Sequence, residues 1–334
     1  MGRRGVMTRV FVTGASGFVG RRVVEALLAG GYHVLGLTRR GTALSPRSRL
    51  TWVHGDITQP DTYRAAAAKA NSVIHLAALL GARRASKLRD VNVGGTAALL
   101  DVCLASGAGL RRVVLVSSLA AMGPKHDESL LVETDPCSPE TAYGQSKLAA
   151  EQVALGYAGR LPITILRPSF VYGRADQRGS DHLGSLLKSL ERPWKTPIVQ
   201  LSFVHVVDVA RACLRALEVD VPSGELFLLA HPSFCSWEDL SRALVQAVES
   251  LVDTGKVHTA VADQVLRRAR SFDVVAHGAR QFDYWGCNTA KSRYLLGVEG
   301  SRTLVEGVTE SLGAFAEQGF FAPDRWLVHP TAVV

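Results

Sequence analysis

The 334-residue sequence predicts an α/β fold, a doubly wound parallel sheet with helices on both faces and a smaller C-terminal region. Two observations predict it. Strand-like and helix-like stretches alternate as far as residue 170, which indicates parallel strands joined by crossover helices. The strand candidates, such as residues 113–116, are short continuous apolar runs. Such runs are typical of a sheet whose two faces are both covered.

The alternation predicts the elements and the division of the chain. Strands are expected at 9–13, 33–38, 51–54, 72–76, 112–117 and 162–167, with helices at 18–30, 60–70, 86–106 and 142–158. Beyond them, 203–210 predict a strand and a helix, 224–230 a strand, and 236–325 helices with loops. We therefore expect one domain at 7–173 with 203–230 returning to it, a second region at 174–202 and 231–325, and a disordered extension at 1–6.

Composition excludes several classes of function. The formal net charge is +8, but the basic residues come in scattered pairs such as Arg111-Arg112, which favours solvated helix faces over a nucleic-acid surface. Five cysteines without a C-x-x-C pair indicate reduced thiols. We find no secretory signal, no membrane-spanning run and no metal-ligand spacing among the ten histidines. These features predict a cytoplasmic protein without metal, nucleic-acid or membrane partners.

Three glycines mark a dinucleotide-binding turn. Gly14, Gly17 and Gly20 follow the apolar run 10–12 and open a predicted helix. The first glycine permits the tight turn, the second lets the backbone approach a pyrophosphate, and the third lets helix pack on strand. The N-terminus of the helix adds unpaired N–H groups and a partial positive charge. This strand–turn–helix context predicts a Rossmann-type domain that binds a nicotinamide dinucleotide.

The end of the second strand selects between the two nicotinamide cofactors. Enzymes that use NAD place an acid there to hold the ribose 2′-hydroxyl, whereas this strand ends in Thr38-Arg39-Arg40. A guanidinium offers a planar fork of donors that suits a 2′-phosphate. NADP is therefore favoured and NAD stays possible, because either arginine could stack on the adenine or point to solvent.

A phenol, an ammonium and a hydroxyl form the candidate catalytic set. Tyr143 and Lys147 are four residues apart on a predicted helix, so their side chains share one face. A nearby ammonium favours the phenolate, and such a tyrosine can exchange a proton with a carbonyl or alcohol oxygen. Ser117 and Ser118 end the strand 112–116, at the sheet edge where ligands bind in such folds. Either could hold the substrate oxygen.

These residues resemble the extended short-chain dehydrogenase/reductase superfamily, in its epimerase/dehydratase branch. Further motifs, in family order, are Gly55-Asp56-Ile57, His75-Leu76-Ala77-Ala78, Asn92-Val93-Gly94-Gly95-Thr96, the segment 166–173 and the segment 203–210. The resemblance implies Ser118, Tyr143 and Lys147 as catalytic residues, with Ser117 as the alternative hydroxyl.

The resemblance also implies binding residues and a homodimer. For the cofactor they are Gly14, Ser16, Gly17, Phe18, Val19, Arg39, Arg40, Asp56, Ile57, Leu76, Ala77, Ala78, Asn92, Ser117, Tyr143, Lys147, Pro168, Phe170 and Val171. For the substrate they are Leu79, Leu80, Ser118, Leu119, Ala120, Tyr143 and Ser169.

Departures from the family pattern narrow the expected function. Leu119-Ala120 stand where the sugar-nucleotide dehydratases carry an Asp-Glu pair, so water elimination by that route is not expected. The apolar stretches 118–124 and 77–81 suit a largely apolar substrate and resemble the hydroxysteroid dehydrogenase and dihydroflavonol reductase side of the branch. We expect an NADP(H)-dependent oxidoreductase acting on a carbonyl or secondary alcohol. The alternatives are a sugar-nucleotide epimerase with retained NAD and a nucleotide-sensing protein that is not an enzyme.

Overall fold

The computed structural model of the chain describes residues 8–39, 47–80, 84–107, 109–174, 198–270, 283–319 and 321. Its strands are β1 (Arg9–Thr13), β2 (His33–Thr38), β3 (Leu50–His54), β4 (Ser72–His75), β5 (Arg112–Val116), β6 (Ile163–Pro168), β7 (Phe170–Tyr172), β8 (Ile198–Leu201), β9 (Phe203–His205), β10 (Glu225–Leu229) and β11 (Asp283–Trp285). Its helices are α1 (Phe18–Ala29), α2 (Arg64–Ala67), α3 (85–105), α4 (Ala142–Tyr157), α5 (Val206–Glu218), α6 (Trp237–Asp253), α7 (Thr259–Arg270), α8 (Ala290–Leu296) and α9 (Leu304–Glu317).

Seven parallel strands form one sheet in the described part of the chain, in the order β10-β6-β5-β4-β1-β2-β3. The order reverses between β1 and β4, where Thr13 lies beside His75. In open α/β sheets, ligands bind at the carboxyl ends of the strands at such a reversal. The predicted doubly wound α/β fold is therefore confirmed, and the reversal places the candidate site.

Two expected helices differ in detail from the structure. Residues 60–70 form only a 3₁₀ turn, Pro60–Thr62, and the short α2, because the chain must turn at once into β4 and Asn71 already donates its N–H to Arg9 O of β1. The helix expected at 86–106 is found as α3, but its middle, Arg89–Gly94, is π-helical. Such a bulge is frequent at functional sites, and it bears on the position of Asn92.

The sheet is covered on both faces, as its apolar strands predict. Successive side chains of a strand point to opposite faces, so Val10 and Val12 join one buried cluster with residues of α1 and α5. Phe11, between them, joins a second cluster with residues of α3 and α4. A third cluster joins α6, α7 and α9 to β8 and β9, and Phe18 at the start of α1 packs against both the first and the third.

Several expectations fall outside the described residues. These are the extension at 1–6, most of 174–202, Arg40, and parts of 231–325. The division into domains therefore stays a prediction. Among the helices that the structure describes, none is both long and apolar enough to cross a membrane.

The two glycines of α4 give a matched test of how this helix docks. A Cβ at Gly144 would collide with the Ala120 carbonyl oxygen, whereas a Cβ at Gly156 meets nothing within 4 Å. Gly144→Ala is expected to destabilise the protein by about 1–3 kcal/mol through overpacking. Gly156→Ala is expected to stabilise it by about 0.5–1 kcal/mol through helix propensity. Urea unfolding of both variants checks this, and equal effects would contradict the close approach.

Candidate active site

The glycine turn holds β1 directly against the end of β4. Gly14 has φ +67°, a left-handed conformation that glycine tolerates best. A Cβ there would lie 2.8 Å from the backbone nitrogen of Ala77. Gly17 caps α1 and carries no side chain that could accept from the first N–H groups of the helix, so these groups are available to an anion. The cradle fits the pyrophosphate of a dinucleotide.

A cavity of about 440 Å³ opens at this edge of the sheet. Of the residues expected to bind cofactor or substrate, the structure places these on its wall: Gly14, Ser16, Gly17, Arg39, Asp56, Ile57, Leu76, Ala77, Ala78 and Leu79. Phe18 and Val19 instead pack partly buried against the core. Leu80 is exposed, while Leu119 is buried in a small apolar cluster with Met122 and Leu131. The binding roles of these residues stay predictions.

Polar groups line the end of the cavity at β2 and β3. The hydroxyls of Ser16 and Thr38 lie 3.0 Å apart. The Asp56 carboxylate accepts from the backbone N–H of Thr58 at 2.9 Å, and this bond, with help from the Thr58 hydroxyl and the Arg39 charge, lowers the pKa of Asp56. The exposed guanidinium of Arg39 and the hydroxyls of Ser16 and Thr38 therefore lie at the end of β2. The carboxylate beside them, that of Asp56, follows β3.

Tyr143 and Ser118 meet beside the carboxyl end of β5. Thr141 caps α4 by accepting from Gly144 N at 3.0 Å, which places Tyr143 in the first turn. Burial raises the pKa of Tyr143 to about 12, and a hydrogen bond with the Ser118 hydroxyl lowers it. The structure thus brings Tyr143 and Ser118 together, while the catalytic roles of both residues stay predictions.

Lys147 lies one turn further along α4 and is buried. Its ammonium donates to Val116 O of β5 at 2.8 Å. Burial lowers the pKa of Lys147 to about 8, while the Glu151 carboxylate raises it. Lys147 is therefore fixed at the end of β5, and its charge is supported by Glu151 on the same face of the helix.

A buried ion pair stands behind Lys147. Arg167 donates from Nε to Glu151 Oε1 at 2.9 Å and from Nη2 to Oε2 at 2.6 Å, and both side chains are almost fully buried. Arg167 Nη2 also donates to Cys137 Sγ at 3.3 Å. The sequence analysis missed this pair, although the spacing of Glu151 from Lys147 on one helix was a usable signal.

His75 joins β1, β4 and α3 through one directed chain of hydrogen bonds. Thr96 Oγ1 donates to Asn92 O at 2.6 Å, so at its 3.0 Å contact it accepts from His75 Nε2. His75 Nδ1 then accepts from Thr13 Oγ1 at 2.6 Å, which in turn accepts from Leu76 N and Ala77 N. These contacts assign the neutral Nε2–H tautomer. Burial, with the charge of Lys147, lowers the pKa of His75 to about 3.

Asn92 connects the hydrogen bonds around His75 to the helix that carries Tyr143. Its Oδ1 accepts from Leu79 N at 2.8 Å, and its Nδ2 donates to Leu79 O and to Ser146 Oγ. Ser146 Oγ donates to Tyr143 O at 2.7 Å. Asn92 lies in the π-helical stretch of α3. It therefore braces the loop after β4 and also α4, while its expected role in binding the cofactor stays a prediction.

Two serines of the predicted site have buried hydroxyls without a hydrogen-bond partner. Ser117 follows β5 and Ser169 follows β6. An unsatisfied buried hydroxyl is costly, so both fit positions where a bound molecule supplies the missing bond. Pro168 ends β6, while Phe170 and Val171 form β7 with half-buried and buried side chains. Within the described residues, no cluster of three or more His, Cys, Asp or Glu could hold a metal ion.

The sequence and fold match known proteins along most of the chain. The model of the NAD dependent epimerase/dehydratase family matches residues 10–230. The chain belongs to this family. The resemblance is thereby confirmed, including its hydroxysteroid dehydrogenase and dihydroflavonol reductase side, which the curated relatives share.

Three of these proteins illustrate the match. A 3-beta-hydroxysteroid dehydrogenase of Mycolicibacterium neoaurum is 34% identical over 184 residues, so the match spans about half of each protein, 51% of this chain and 49% of that relative. A 4-hydroxy-2-methyl-3-oxo-4-farnesyl-3,4-dihydroquinoline-1-oxide ketoreductase of Stigmatella aurantiaca is 30% identical over 66% of this chain and 67% of its own length. The UDP-glucuronic acid 4-epimerase of Bacillus cereus, solved with NAD, shares the fold at 22% identity, with a TM-score of 0.70 over 93% of this chain and 97% of that one.

Because His75 is neutral in the folded protein, we expect the protein to lose stability as the pH falls. Because the pKa of His75 is about 3 when folded and near 6.5 when unfolded, the unfolded chain gains a proton first as the pH falls. The free energy of unfolding should therefore drop below pH 6.5, by about 1.4 kcal/mol per pH unit from this group, until the pH approaches 3.

Urea unfolding between pH 6.5 and 4.5 measures this slope. His75→Gln should flatten it by about that amount, while His54→Gln, at the exposed end of β3, serves as the matched control. An unchanged slope in His75→Gln would contradict a neutral His75.

Proposed function

We propose that the protein is an NADP(H)-dependent reductase or dehydrogenase that acts on a carbonyl or secondary alcohol of a largely apolar substrate. The observation that carries the proposal is the contact of Tyr143 with Ser118, with Lys147 fixed at the end of the neighbouring strand. This arrangement lies at the carboxyl end of β5, on the same edge of the sheet as the glycine cradle after β1. The retention of all three polar groups disfavours a purely nucleotide-sensing role.

In this proposal each of the three side chains has a defined role in the reaction. The bound nicotinamide supplies or accepts the hydride. Ser118 donates to the carbonyl oxygen and orients it, and Tyr143 gives that oxygen its proton. Lys147 holds the ribose and supports Tyr143 with its charge. Burial raises the pKa of Tyr143 to about 12, so the phenol carries the proton that this step requires.

The preference for NADP is argued from the end of β2. Arg39 lines the cavity and Ser16 and Thr38 place two hydroxyls beside it. A 2′-phosphate accepts readily from guanidinium and hydroxyl donors, whereas the ribose 2′-hydroxyl of NAD is best served by an acid at this position. Arg40 lies outside the described residues and is part of the same proposal.

The apolar substrate is argued from both the chain and its relatives. Leu79 lines the cavity and Leu80 beside it is exposed, and neither residue suits a polyol diphosphate. Relatives named for a hydroxysteroid and for a farnesylated quinoline act on apolar molecules. We therefore propose a hydrophobic ketone as the substrate class. A homodimer, expected from the family, is proposed with it.

One assay separates this proposal from the epimerase alternative. The purified protein is stripped of nucleotide and offered a 3-ketosteroid, a prenylated aromatic ketone and UDP-glucose. Consumption of NADPH, followed at 340 nm, with either ketone supports a reductase. Conversion of UDP-glucose without net consumption of cofactor, on NAD that resists removal, would replace the proposal by the epimerase.

Removal of Arg39 is expected to weaken binding of NADP⁺ selectively. Loss of one charged hydrogen bond to phosphate, about 1.5–3 kcal/mol, corresponds to roughly a 10- to 100-fold higher Kd. In calorimetric titrations, Arg39→Ala should lose this much for NADP⁺ and little for NAD⁺. Arg64→Ala, an exposed arginine paired with Asp61 on the surface, is the control. Equal weakening for both nucleotides would contradict a role at the 2′-phosphate.

Tyr143→Phe is expected to abolish turnover while binding of NADP⁺ stays within about twofold. The phenol hydroxyl is the proton donor, and loss of general acid catalysis costs about 10²–10⁴-fold in kcat. Steady-state assays with the accepted ketone and calorimetry with NADP⁺ check the two halves of this expectation. Full activity in the variant would exclude the mechanism.

A further inference from the structure

The ion pair behind Lys147 is built from parts that the proposed reaction does not use. Glu151 follows Lys147 by four residues on α4 and is 1% exposed. Arg167 of β6, 4% exposed, grips both carboxylate oxygens at 2.9 and 2.6 Å. Neither residue was assigned to cofactor or substrate above. Three charged side chains, two positive and one negative, are thus buried together beside the candidate catalytic centre.

We propose that Glu151 is a positioning residue that holds Lys147 in its charged form, and that Arg167 fixes the carboxylate in the orientation this requires. The inference deepens the proposed function, because it concerns the lysine of that site. Glu151 acts through Lys147 and has no contact of its own with the reacting atoms.

Energetics argue against a purely structural role for the pair. Apolar side chains of similar volume often replace a buried ion pair at no loss of stability. An α/β core rich in Val, Leu and Ile offers such packing on every side. A buried Glu151–Arg167 pair is therefore better explained by what its negative charge does for a neighbour than by its own contribution to folding.

The surroundings of Lys147 make Glu151 the group able to do this. The ammonium of Lys147 donates to Val116 O at the end of β5 and its charge acts on His75 at the end of β4, while Tyr143 lies one turn before it on α4. Tyr143 and His75 are both neutral near pH 7. Arg167, from β6, is positive and is paired with Glu151. Burial disfavours the ammonium, and Glu151 is the opposing charge that favours it.

Glu151 therefore raises the pH up to which Lys147 keeps its positive charge. Lys147 is charged below its pKa of about 8, so at neutral pH the ammonium is present. Without the carboxylate, burial and the nearby guanidinium act unopposed and the pKa of Lys147 falls. The variant then carries a neutral amine at pH values where the wild type carries an ammonium.

The experiment reads the charge of Lys147 directly. The full-length protein is labelled with ¹⁵Nζ-lysine, the Lys147 signal is assigned by its absence in Lys147→Met, and its shift is titrated from pH 6 to 10. Glu151→Gln keeps the shape of the side chain and removes its charge. Its midpoint should lie about 1 pH unit below that of the wild type. Glu225→Gln, whose carboxylate pairs with Lys291, is the matched control and should leave the midpoint unchanged.

A second variant tests the same inference if Glu151→Gln does not fold. Replacing the pair together, Glu151→Met with Arg167→Leu, removes both charges and keeps apolar packing. Its midpoint should fall between those of the wild type and Glu151→Gln. Equal midpoints for the wild type and both variants would reduce Glu151 to a structural residue and overturn the inference.

The titration stays independent of the proposed function. If the wild type reduces no ketone but Glu151→Gln shifts the midpoint, the proposed reaction fails and the electrostatic role stands. If the wild type is active, its kcat/KM should fall at a lower pH in Glu151→Gln than in Glu225→Gln. An active wild type with superimposable pH profiles for these two variants would contradict the role of Glu151 in catalysis.

Discussion

The hydrogen bond between Thr13 and His75, 2.6 Å long, is the contact on which the site depends. It joins the carboxyl ends of β1 and β4, where the order of the sheet reverses. The turn after β1 would hold a dinucleotide, and the loop after β4 forms the opposite wall of the cavity. The bond therefore adds a side-chain link to the backbone pairing of the two strands, directly beside the cavity. From His75 the same network continues through Thr96 and Asn92 to the helix that carries Tyr143.

Two neighbouring bases are kept in opposite protonation states near pH 7. Burial acts on both, but His75 has hydrogen-bond partners that require it to be neutral, whereas Lys147 has a carboxylate one turn away. The charge of Lys147 also lowers the pKa of His75. Lys147 therefore carries a positive charge close to the neutral His75. A buried polar network of this kind is costly wherever one of its groups lacks a partner.

Patterns along the sequence predicted most of the fold and part of the candidate site. The apolar runs and the glycine turn predicted the sheet, because both follow from spacing along the chain. The contact of Tyr143 with a serine was also predictable, since strand ends meet at one edge. The spacing of Glu151 from Lys147 places both on one face of the helix, but the pairing of Glu151 with Arg167 was not predictable, because it joins this helix to β6 in three dimensions. The short α2 was missed because the alanines at 65–68 favour a helix, while the approach to β4 ends it.

The directed hydrogen bonds around His75 limit how the sequence can change. Each side chain of this network accepts a hydrogen bond at one end and donates one at the other, and the direction of donation runs one way from the backbone amides of Leu76 and Ala77 to the carbonyl of Asn92. A valine at position 13 would leave Nδ1 without a donor, and one at position 96 would leave Nε2 without an acceptor. Positions 13, 75 and 96 therefore act as one unit, in which the loss of any one side chain leaves a buried neighbour without its hydrogen bond.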